Sequence, residues 1–209
     1  FRVSFVYGND VNAKQRNNLP GISVLDDADL LLVSARRRVL PKAQMETIRK
    51  FIEAGKPVVG IRTANHAFSL RGKEIPAGLA DWENFDAEII GGHYTGHHGD
   101  GPKVALQVAK GAAAHPILQK IDLSQWEGQG SLYLVSPLAK SATALLHGTI
   151  PGKPTEPIAW VNTNKFGGRV FYTSLGHSDD FKNPATNQLL YQAIRWTLKM
   201  SNNQATISR

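Results

Sequence analysis

The chain of 209 residues contains no cysteine. This absence excludes disulfide bonds, thiolate metal ligands and a cysteine nucleophile, and it is compatible with both cytoplasm and periplasm. No apolar run approaches the roughly 18 residues that a membrane-spanning helix needs, so we expect no membrane partner. With 19 glycines and 11 prolines, the chain is neither collagen-like nor low in complexity. Its hydrophobic fraction of 42% is that of a globular protein, and its length predicts a single domain over residues 1–209.

The chain is basic, because 24 Lys and Arg outnumber 17 Asp and Glu and give a formal net charge of +7. The basic residues are scattered, except for the run Arg36-Arg37-Arg38. Aromatic residues are not interleaved with them, and no nucleic-acid-binding motif accompanies them. We therefore interpret the excess charge as a solvated surface and predict no nucleic-acid partner.

Strand and helix patterns alternate in the first third of the chain. Residues 1–7 alternate apolar and polar side chains, which predicts a half-buried strand. The apolar runs at 29–33 and 56–61 predict strands that are buried on both faces. Residues 41–55 place apolar side chains at helical spacing between a proline and a glycine. This strand–helix–strand order predicts a pair of parallel strands.

The rest of the chain predicts more strands and one clear helix. The glycine-rich stretch 87–102 does not fit a helix or a central strand, and residues 201–209 form a polar tail. The fold class is α/β: a mainly parallel sheet flanked by helices, with an antiparallel extension. The further predicted strands are 104–108, 131–135, 142–146, 158–161 and 169–173, and the last helix begins at Pro184 with Asn183 as its cap.

Ligands of such sheets bind beyond the carboxyl ends of the parallel strands. Three polar stretches follow predicted strands: RRR at 36–38, RTANH at 62–66 and GHSDD at 176–180. A fourth polar cluster holds His93, His97 and His98, three of the seven histidines in the chain. The sequence therefore places its candidate site residues at one edge of the sheet.

Arg62 stands at the centre of the first candidate motif. Residues 60–64, GIRTA, match the nucleophile-elbow pattern, in which small residues flank a sharp strand-to-helix turn. Arginine cannot attack a carbonyl, but its guanidinium group can hold a carboxylate or another anion with two hydrogen bonds. A surface arginine after a tight turn is the alternative interpretation.

His177 and Asp179 form the second candidate motif. A histidine and a carboxylate two residues apart, just after a strand, are typical of an acid/base pair in which the carboxylate orients the imidazole. The same residues are also typical of a helix start, where Ser178, Asp179 or Asp180 caps the backbone. The two interpretations are compatible.

The histidine loop allows two kinds of contact. Neutral imidazoles bind zinc and other first-row metals, and catalytic zinc often has three protein ligands, so His93, His97 and His98 are candidate metal ligands. Their spacing matches no established zinc motif such as HExxH. We favour contact with a substrate over a metal, and a solvated loop is the third alternative.

Two long runs resemble the ThuA-like (trehalose-utilisation) family. They are PVVGIRTANHAF at 57–68 and GRVFYTSLGHSD at 168–179. The runs GGH at 91–93 and GHH at 96–98, and the terminal helix, fit the same pattern, so the resemblance covers essentially the whole chain. It implies a flavodoxin-like fold of the class I glutamine amidotransferase type.

The resemblance also implies what the chain does not do. Amidotransferases carry cysteine at the elbow and a His-x-Glu after the last core strand. Here Arg62 replaces that cysteine, and His177-Ser178-Asp179 matches His-x-Glu with Asp in place of Glu. Glutamine hydrolysis through a thioester is therefore excluded. The family is linked to trehalose and related glycosides, which implies a small sugar or glycoside as partner.

The chain departs from the family at its beginning. Family members start with a strand and a helix before the region that matches Phe1, and that first strand lies in the middle of the sheet. The given sequence lacks it, which would leave backbone groups unpaired on two neighbours, each unmet bond costing about 1–3 kcal/mol. We expect missing preceding residues, a strand supplied by a second protomer in a homodimer, or a rearranged sheet.

These observations lead to one leading hypothesis and two alternatives. The leading hypothesis is a carbohydrate-active hydrolase or isomerase-type lyase acting on a glycoside or keto-sugar. Its rivals are a non-catalytic sugar-binding module and a metal-dependent hydrolase of broad specificity. In the leading hypothesis His177 is the general acid/base, Asp179 orients it, and arginines stabilise developing charge. Arg62 is catalytic, and the substrate-binding candidates are Arg36, Arg38, Asn65, His66, His93, His97 and His98.

Overall fold

The computed structural model describes residues 1–8, 12–99, 101–124 and 126–200. The predicted tail at 201–209 lies outside the described residues. The strands are β1 Leu31–Val33, β2 Leu40–Pro41, β3 Val58–Ile61, β4 Leu79–Ala80, β5 Gly96–His97, β6 Val104–Val108, β7 Glu127–Gly128, β8 Tyr133–Leu134, β9 Thr143–Thr149, β10 Glu156–Thr163 and β11 Arg169–Thr173. The helices are α1 Ala13–Arg16, α2 Lys42–Glu53 and α3 Pro184–Thr197, and shorter helical turns lie at Ile22–Leu25, Arg62–His66, Asp86–Ile90, Pro116–Leu118 and Asp180–Lys182.

Seven strands form one mixed sheet in the order β1-β3-β11-β10-β9-β6-β7. The first three strands are parallel to one another, and every later neighbour pairs antiparallel. Two small ribbons, β2 with β4 and β5 with β8, lie outside this sheet. The predicted α/β class, with a parallel part and an antiparallel extension, is confirmed, and the extension supplies four of the six strand pairs.

Each face of the main sheet carries its own hydrophobic core. Ile48 and Ile52 of α2 pack with Val58 on one face, whereas Leu189 of α3 packs with Val59 on the other. Successive side chains of a strand point to opposite faces, so a strand between two cores is apolar at every position. All four residues of β3 are buried, which explains its continuous apolar run.

The predicted strand at residues 1–7 was wrong. Residues 1–8 form no strand, and Phe1, Val3, Phe5 and Tyr7 are each more than 60% exposed. An alternating pattern becomes a strand only when a neighbour supplies its hydrogen bonds. In the described part of the chain, β1 ends the sheet and no strand pairs with residues 1–8.

None of the helices in the described ranges combines the length and the apolar character needed to cross a bilayer.

Helix α3 begins as the sequence predicts. The side-chain oxygen of Asn183 accepts a hydrogen bond from the backbone N–H of Ala185 at 2.9 Å, and Pro184 occupies the first turn. An N-cap oxygen satisfies one of the backbone donors that every helix start leaves unpaired. Because Leu189 of this helix packs against β3, the cap also helps to fix one layer of the core.

We expect Asn183→Ala to lower the free energy of unfolding by about 1 kcal/mol, since it removes the cap oxygen. Asn183→Asp keeps an acceptor and adds a negative charge at the helix N-terminus, so it should retain the wild-type stability. Chemical denaturation of the two variants measures both values. Equal losses for both variants would contradict a capping role.

Candidate functional site

Three loops meet at the carboxyl ends of β1, β3 and β11. Val33 pairs with Gly60, and Ile61 pairs with Thr173, so the three strands end at one level. The loop after β1 is joined to the turn after β3 by a hydrogen bond from Arg37 N–H to the carbonyl of His66, at 3.0 Å. The polar stretches that the sequence placed at one edge are thus brought together by the parallel strands.

Arg62 has the backbone conformation of an elbow. Its φ angle is 49°, in the left-handed region that non-glycine residues rarely adopt. A Cβ on Gly60 would lie only 3.2 Å from Cβ of Ala64 and 3.0 Å from the Tyr172 ring, so any larger residue would have to displace these neighbours slightly. The hydroxyl of Tyr172 donates a hydrogen bond to the carbonyl of Arg62 at 2.6 Å and holds the strained turn in place.

The side chain of Arg62 lies inside the site. Its guanidinium carbon is 5.6 Å from the centre of the Tyr133 ring, and a Cβ on Gly130 would collide with the guanidinium group. The Nη1 atom is buried and has no hydrogen-bond partner in the part of the chain that the structure describes. A buried donor without an acceptor is costly, so this atom is a position where a ligand acceptor would be stabilised.

Gly176, the residue before His177, packs closely against Arg62. Gly176 has φ 130°, and a Cβ there would lie 3.3 Å from Cβ of Arg62. The Nδ1 atom of His177 is 3.3 Å from the backbone N–H of Asp179 and 3.6 Å from its carboxylate. That carboxylate is closer to Lys182, at 2.6 Å, and the hydrogen bond and charge of Lys182 lower the pKa of Asp179.

Asp180 fixes the position of the His177 backbone, a role that the sequence did not reveal. It is 1% exposed, and its carboxylate accepts hydrogen bonds from the backbone N–H groups of Gly176, His177 and Gln129 at 2.7, 2.8 and 2.7 Å. The sequence interpretation considered it only as one of three capping residues. Asp180 differs from its neighbour Asp179 in its burial, and only the fold shows this difference.

His66 is the second histidine at this edge, and it is neutral. Its ring stacks on Tyr94 with centroids 4.3 Å apart, and its Nδ1 is 2.7 Å from Oδ1 of Asn65. Since Oδ1 can only accept, Nδ1 carries the proton. Burial, together with the positive charges of Arg37, Arg36 and Arg71 and a smaller effect of His97, lowers the pKa of His66 to about 3.

The rings of Tyr94 and Tyr133 form an aromatic cluster that connects His66 with Arg62. Tyr133 lies 4.8 Å from Tyr94 and 6.0 Å from His66, between ring centres. It is placed there by the ribbon of β5 and β8, in which His97 pairs with Tyr133. Neither Tyr94 nor Tyr133 was predicted as a site residue, because the sequence shows no pattern that pairs β5 with β8.

The three histidines of the loop have separate surroundings. His93 is bound through Nδ1 to the carboxylate of the buried Asp86 at 3.1 Å, and Tyr94 donates from its hydroxyl to Nδ1 of His97 at 2.6 Å when that nitrogen is unprotonated. His98 has a buried Nε2 without a partner. Within the described ranges, which leave out Asp100 next to this loop, no three His, Cys, Asp or Glu residues are grouped as metal ligands.

The arginines after β1 differ in their contacts. Arg36 is exposed, Arg38 N–H bonds to the carbonyl of Ala67, and Arg37 has φ 51° with a buried Nε that has no partner. Burial and the charges of Arg71 and Arg36 lower the pKa of Arg37. Arg37 and Arg71 were not predicted as site residues, although Arg37 lies within the RRR run.

A cavity of about 540 Å³ lies at the opposite edge, next to the amino ends of the parallel strands. Phe1, Pro57 and Arg169 line it. The guanidinium group of Arg169 donates one hydrogen bond to the carbonyl of Trp196 and lies over the Trp196 ring. None of the sequence-predicted site residues lines this cavity, and we place the functional site at the carboxyl edge.

We expect Asp180→Asn to lower the free energy of unfolding by about 2–3 kcal/mol, since an amide cannot accept all three backbone N–H bonds. Asp179→Asn is the matched control. Its carboxylate contacts an exposed lysine, so the change should leave the free energy of unfolding nearly unchanged. Urea denaturation at pH 7 measures both, and equal effects would contradict the bracing role of Asp180.

We expect the His66 ring to remain neutral from pH 8 down to pH 5. The folded pKa of about 3 lies below the value near 6.5 of an unfolded chain. The unfolded chain therefore binds a proton first, so the contribution of His66 to stability is complete above pH 6.5 and is lost as pH falls towards 3. NMR titration of the ring protons tests this, with the urea-unfolded chain as control, and a folded midpoint above 6 would overturn it.

Comparisons with known proteins agree with the fold and the motifs. A ThuA-like protein from Bacteroides uniformis is 20% identical with a TM-score of 0.64, covering 84% of this chain and 71% of its own. One from Parabacteroides merdae is 14% identical with a TM-score of 0.54, over 87% and 74%. A cytoplasmic protein from Salmonella typhimurium is 12% identical with a TM-score of 0.56, over 84% and 74%. These identities show the fold alone.

No curated protein matches the sequence. The model of the ThuA family, described as trehalose utilisation, matches residues 6–197, which include the elbow, the histidine loop and the His177 turn. The chain therefore belongs to the ThuA, or trehalose-utilisation, family.

Proposed function

We propose that this protein is a carbohydrate-active enzyme that transfers a proton on a glycoside or keto-sugar. Membership of the trehalose-utilisation family supports a carbohydrate-related role. The observation that supports the chemistry is the close packing of Gly176 on Arg62, because His177 follows Gly176 directly in the chain. One group exchanges a proton and the other holds the negative charge that proton transfer creates.

Arg62 is the charge-stabilising group. Where a cysteine amidotransferase has its nucleophile, this chain presents a guanidinium group with one unused, buried N–H position. A donor that is already desolvated stabilises a developing oxyanion without reorganising water. An enediolate or alkoxide oxygen next to Nη1 would supply the missing acceptor.

His177 is the proton-transferring group. The N–H of Asp179 lies nearer to Nδ1 than the Asp179 carboxylate does, so a neutral ring carries its proton on Nε2. A second proton, on Nδ1, converts the ring to an imidazolium, and this form can donate from Nε2 to a leaving oxygen and return to the neutral state. When the ring is doubly protonated, Nδ1–H faces the carboxylate at 3.6 Å. Asp179 then stabilises the imidazolium form, and the shared contact with Lys182 weakens this effect.

The remaining predicted residues have binding roles in this proposal. Asn65 offers an unused buried Nδ2 donor, and neutral His66 offers Nε2 as an acceptor, a pair suited to a sugar hydroxyl. His97 and His98 lie on the β5–β8 side of the same cluster, with Arg36 and Arg38 on the β1 side. His93 is bound by Asp86 and lies at the margin.

The test is turnover of trehalose, related disaccharides and their keto derivatives, followed by mass spectrometry of the products. We expect His177→Gln to reduce kcat by at least 100-fold, the usual range for a lost general acid or base. His147→Gln, in β9, is the matched control and should keep wild-type activity. Undiminished turnover by His177→Gln would refute the assigned role.

Two variants of Arg62 separate its chemistry from its backbone strain. Both Arg62→Ala and Arg62→Gly should abolish turnover, but glycine relieves the left-handed φ and should be about 1 kcal/mol more stable than alanine. Saturable sugar binding without any product would instead support the sugar-binding module. Loss of activity on chelation, restored by zinc, would support the metal-dependent hydrolase, with His93, His97 and His98 as candidate ligands and Thr63 or Ser178 as weaker nucleophiles.

A further inference from the structure

Four arginines at the carboxyl edge have no acidic partner among the described residues. Arg36, Arg37 and Arg71 surround the stacked pair of His66 and Tyr94, and Arg62 lies across Tyr133 from them. Among the residues that the structure describes, no carboxylate lies within ion-pair distance of any of the four guanidinium groups. Uncompensated positive charge on one face is the electrostatic complement of an anion.

The same region contains unused hydrogen-bond donors. Arg37 Nε, Arg62 Nη1 and Asn65 Nδ2 are buried and lack acceptors. The stacked His66 adds no positive charge, because burial and the neighbouring arginines keep it neutral. In the proposed function Arg62 Nη1 and Asn65 Nδ2 bind the sugar part, which leaves Arg37 Nε for a group that accepts without donating, as carboxylate and phosphate groups do.

Backbone strain is concentrated on these arginines. Arg37, Arg62 and Arg71 have φ angles of 51°, 49° and 56°, and they are three of the five non-glycine residues with positive φ in the described ranges. Each such residue costs about 1–2 kcal/mol relative to a relaxed conformation. Glycine would adopt these angles without that cost, so the fold alone does not explain an arginine side chain at all three positions.

We propose that the ligand of this site is an acidic sugar, whose carboxylate or phosphate group is bound by Arg37 and Arg71 with Arg36 at the rim. The inference rests on the proposed function for the sugar part and extends it to the charge of the substrate. The acidic group lies on the β1 side, next to the Tyr94–His66 stack. The reacting part of the sugar then extends past Tyr133 towards Arg62 and His177.

The test is calorimetric binding of matched ligands to the wild-type protein. Glucose and trehalose are the neutral probes, glucuronate and gluconate carry a carboxylate, and glucose 6-phosphate and trehalose 6-phosphate carry a phosphate. We expect at least one acidic class to bind ten-fold or more tightly than its neutral partner, with an affinity that falls as salt increases. The class that binds distinguishes the carboxylate from the phosphate.

Variants that remove positive charge show which arginines cause the preference for acidic ligands. Arg36→Gln with Arg71→Gln changes two exposed side chains and should remove the preference for the acidic ligand. Lys140→Gln with Lys153→Gln removes the same charge from exposed positions elsewhere and should leave the preference unchanged. Arg37→Lys, which keeps the charge and loses Nε, should weaken acidic binding several-fold and serves as the second variant.

Three outcomes would overturn the inference: equal binding of neutral and acidic sugars, an unchanged preference in Arg36→Gln with Arg71→Gln, or inorganic phosphate binding as tightly as every sugar acid. The two proposals fail separately. Turnover of a neutral sugar without any preference for acidic ligands would support the proposed enzyme and refute this inference. A preference for acidic ligands without turnover would support the acidic binding site and refute the proposed enzyme.

Discussion

The in-register pairing of β1, β3 and β11 is the constraint on which the site depends. Because Val33 pairs with Gly60 and Ile61 with Thr173, three loops that are distant in sequence begin at the same level of the sheet. A shift of β3 by one residue would exchange its two faces, and all four of its residues are buried. The two hydrophobic cores thus determine the position of Arg62, and the site is as rigid as these cores.

Much of the fold could be predicted from the sequence, because buried strands and helices carry recognisable patterns of apolar side chains. The strand Arg169–Thr173 matches its predicted limits, because its residues 170–172 are large, buried and apolar or aromatic. The start of α3 at Pro184 also matches, because a cap and a proline mark it. Residues 1–7 show the limit of this reasoning. Alternation shows that one face is apolar, but it carries no information on whether a partner strand is present.

The site could be predicted only through the rule that ligands bind beyond the carboxyl ends of parallel strands. That rule brings Arg36, Arg62, His66 and His177 to one edge, and the structure places them there. Tyr133 lies in the predicted strand 131–135, of which β8 keeps two residues, but nothing in the sequence predicts that this strand pairs with β5. The adjacent residues Asp179 and Asp180 look alike in the sequence, and only packing shows that the second turns inward.

The carboxylate of Asp180 has a consequence for how this corner of the protein opens. It joins Gln129, 51 residues away in the chain, to the turn that carries His177. Three backbone N–H groups from two loops therefore share the Asp180 carboxylate as acceptor. If Asp180 moves away, all three lose their partner together. We therefore expect the residues after β7 and the histidine turn to open together in local unfolding.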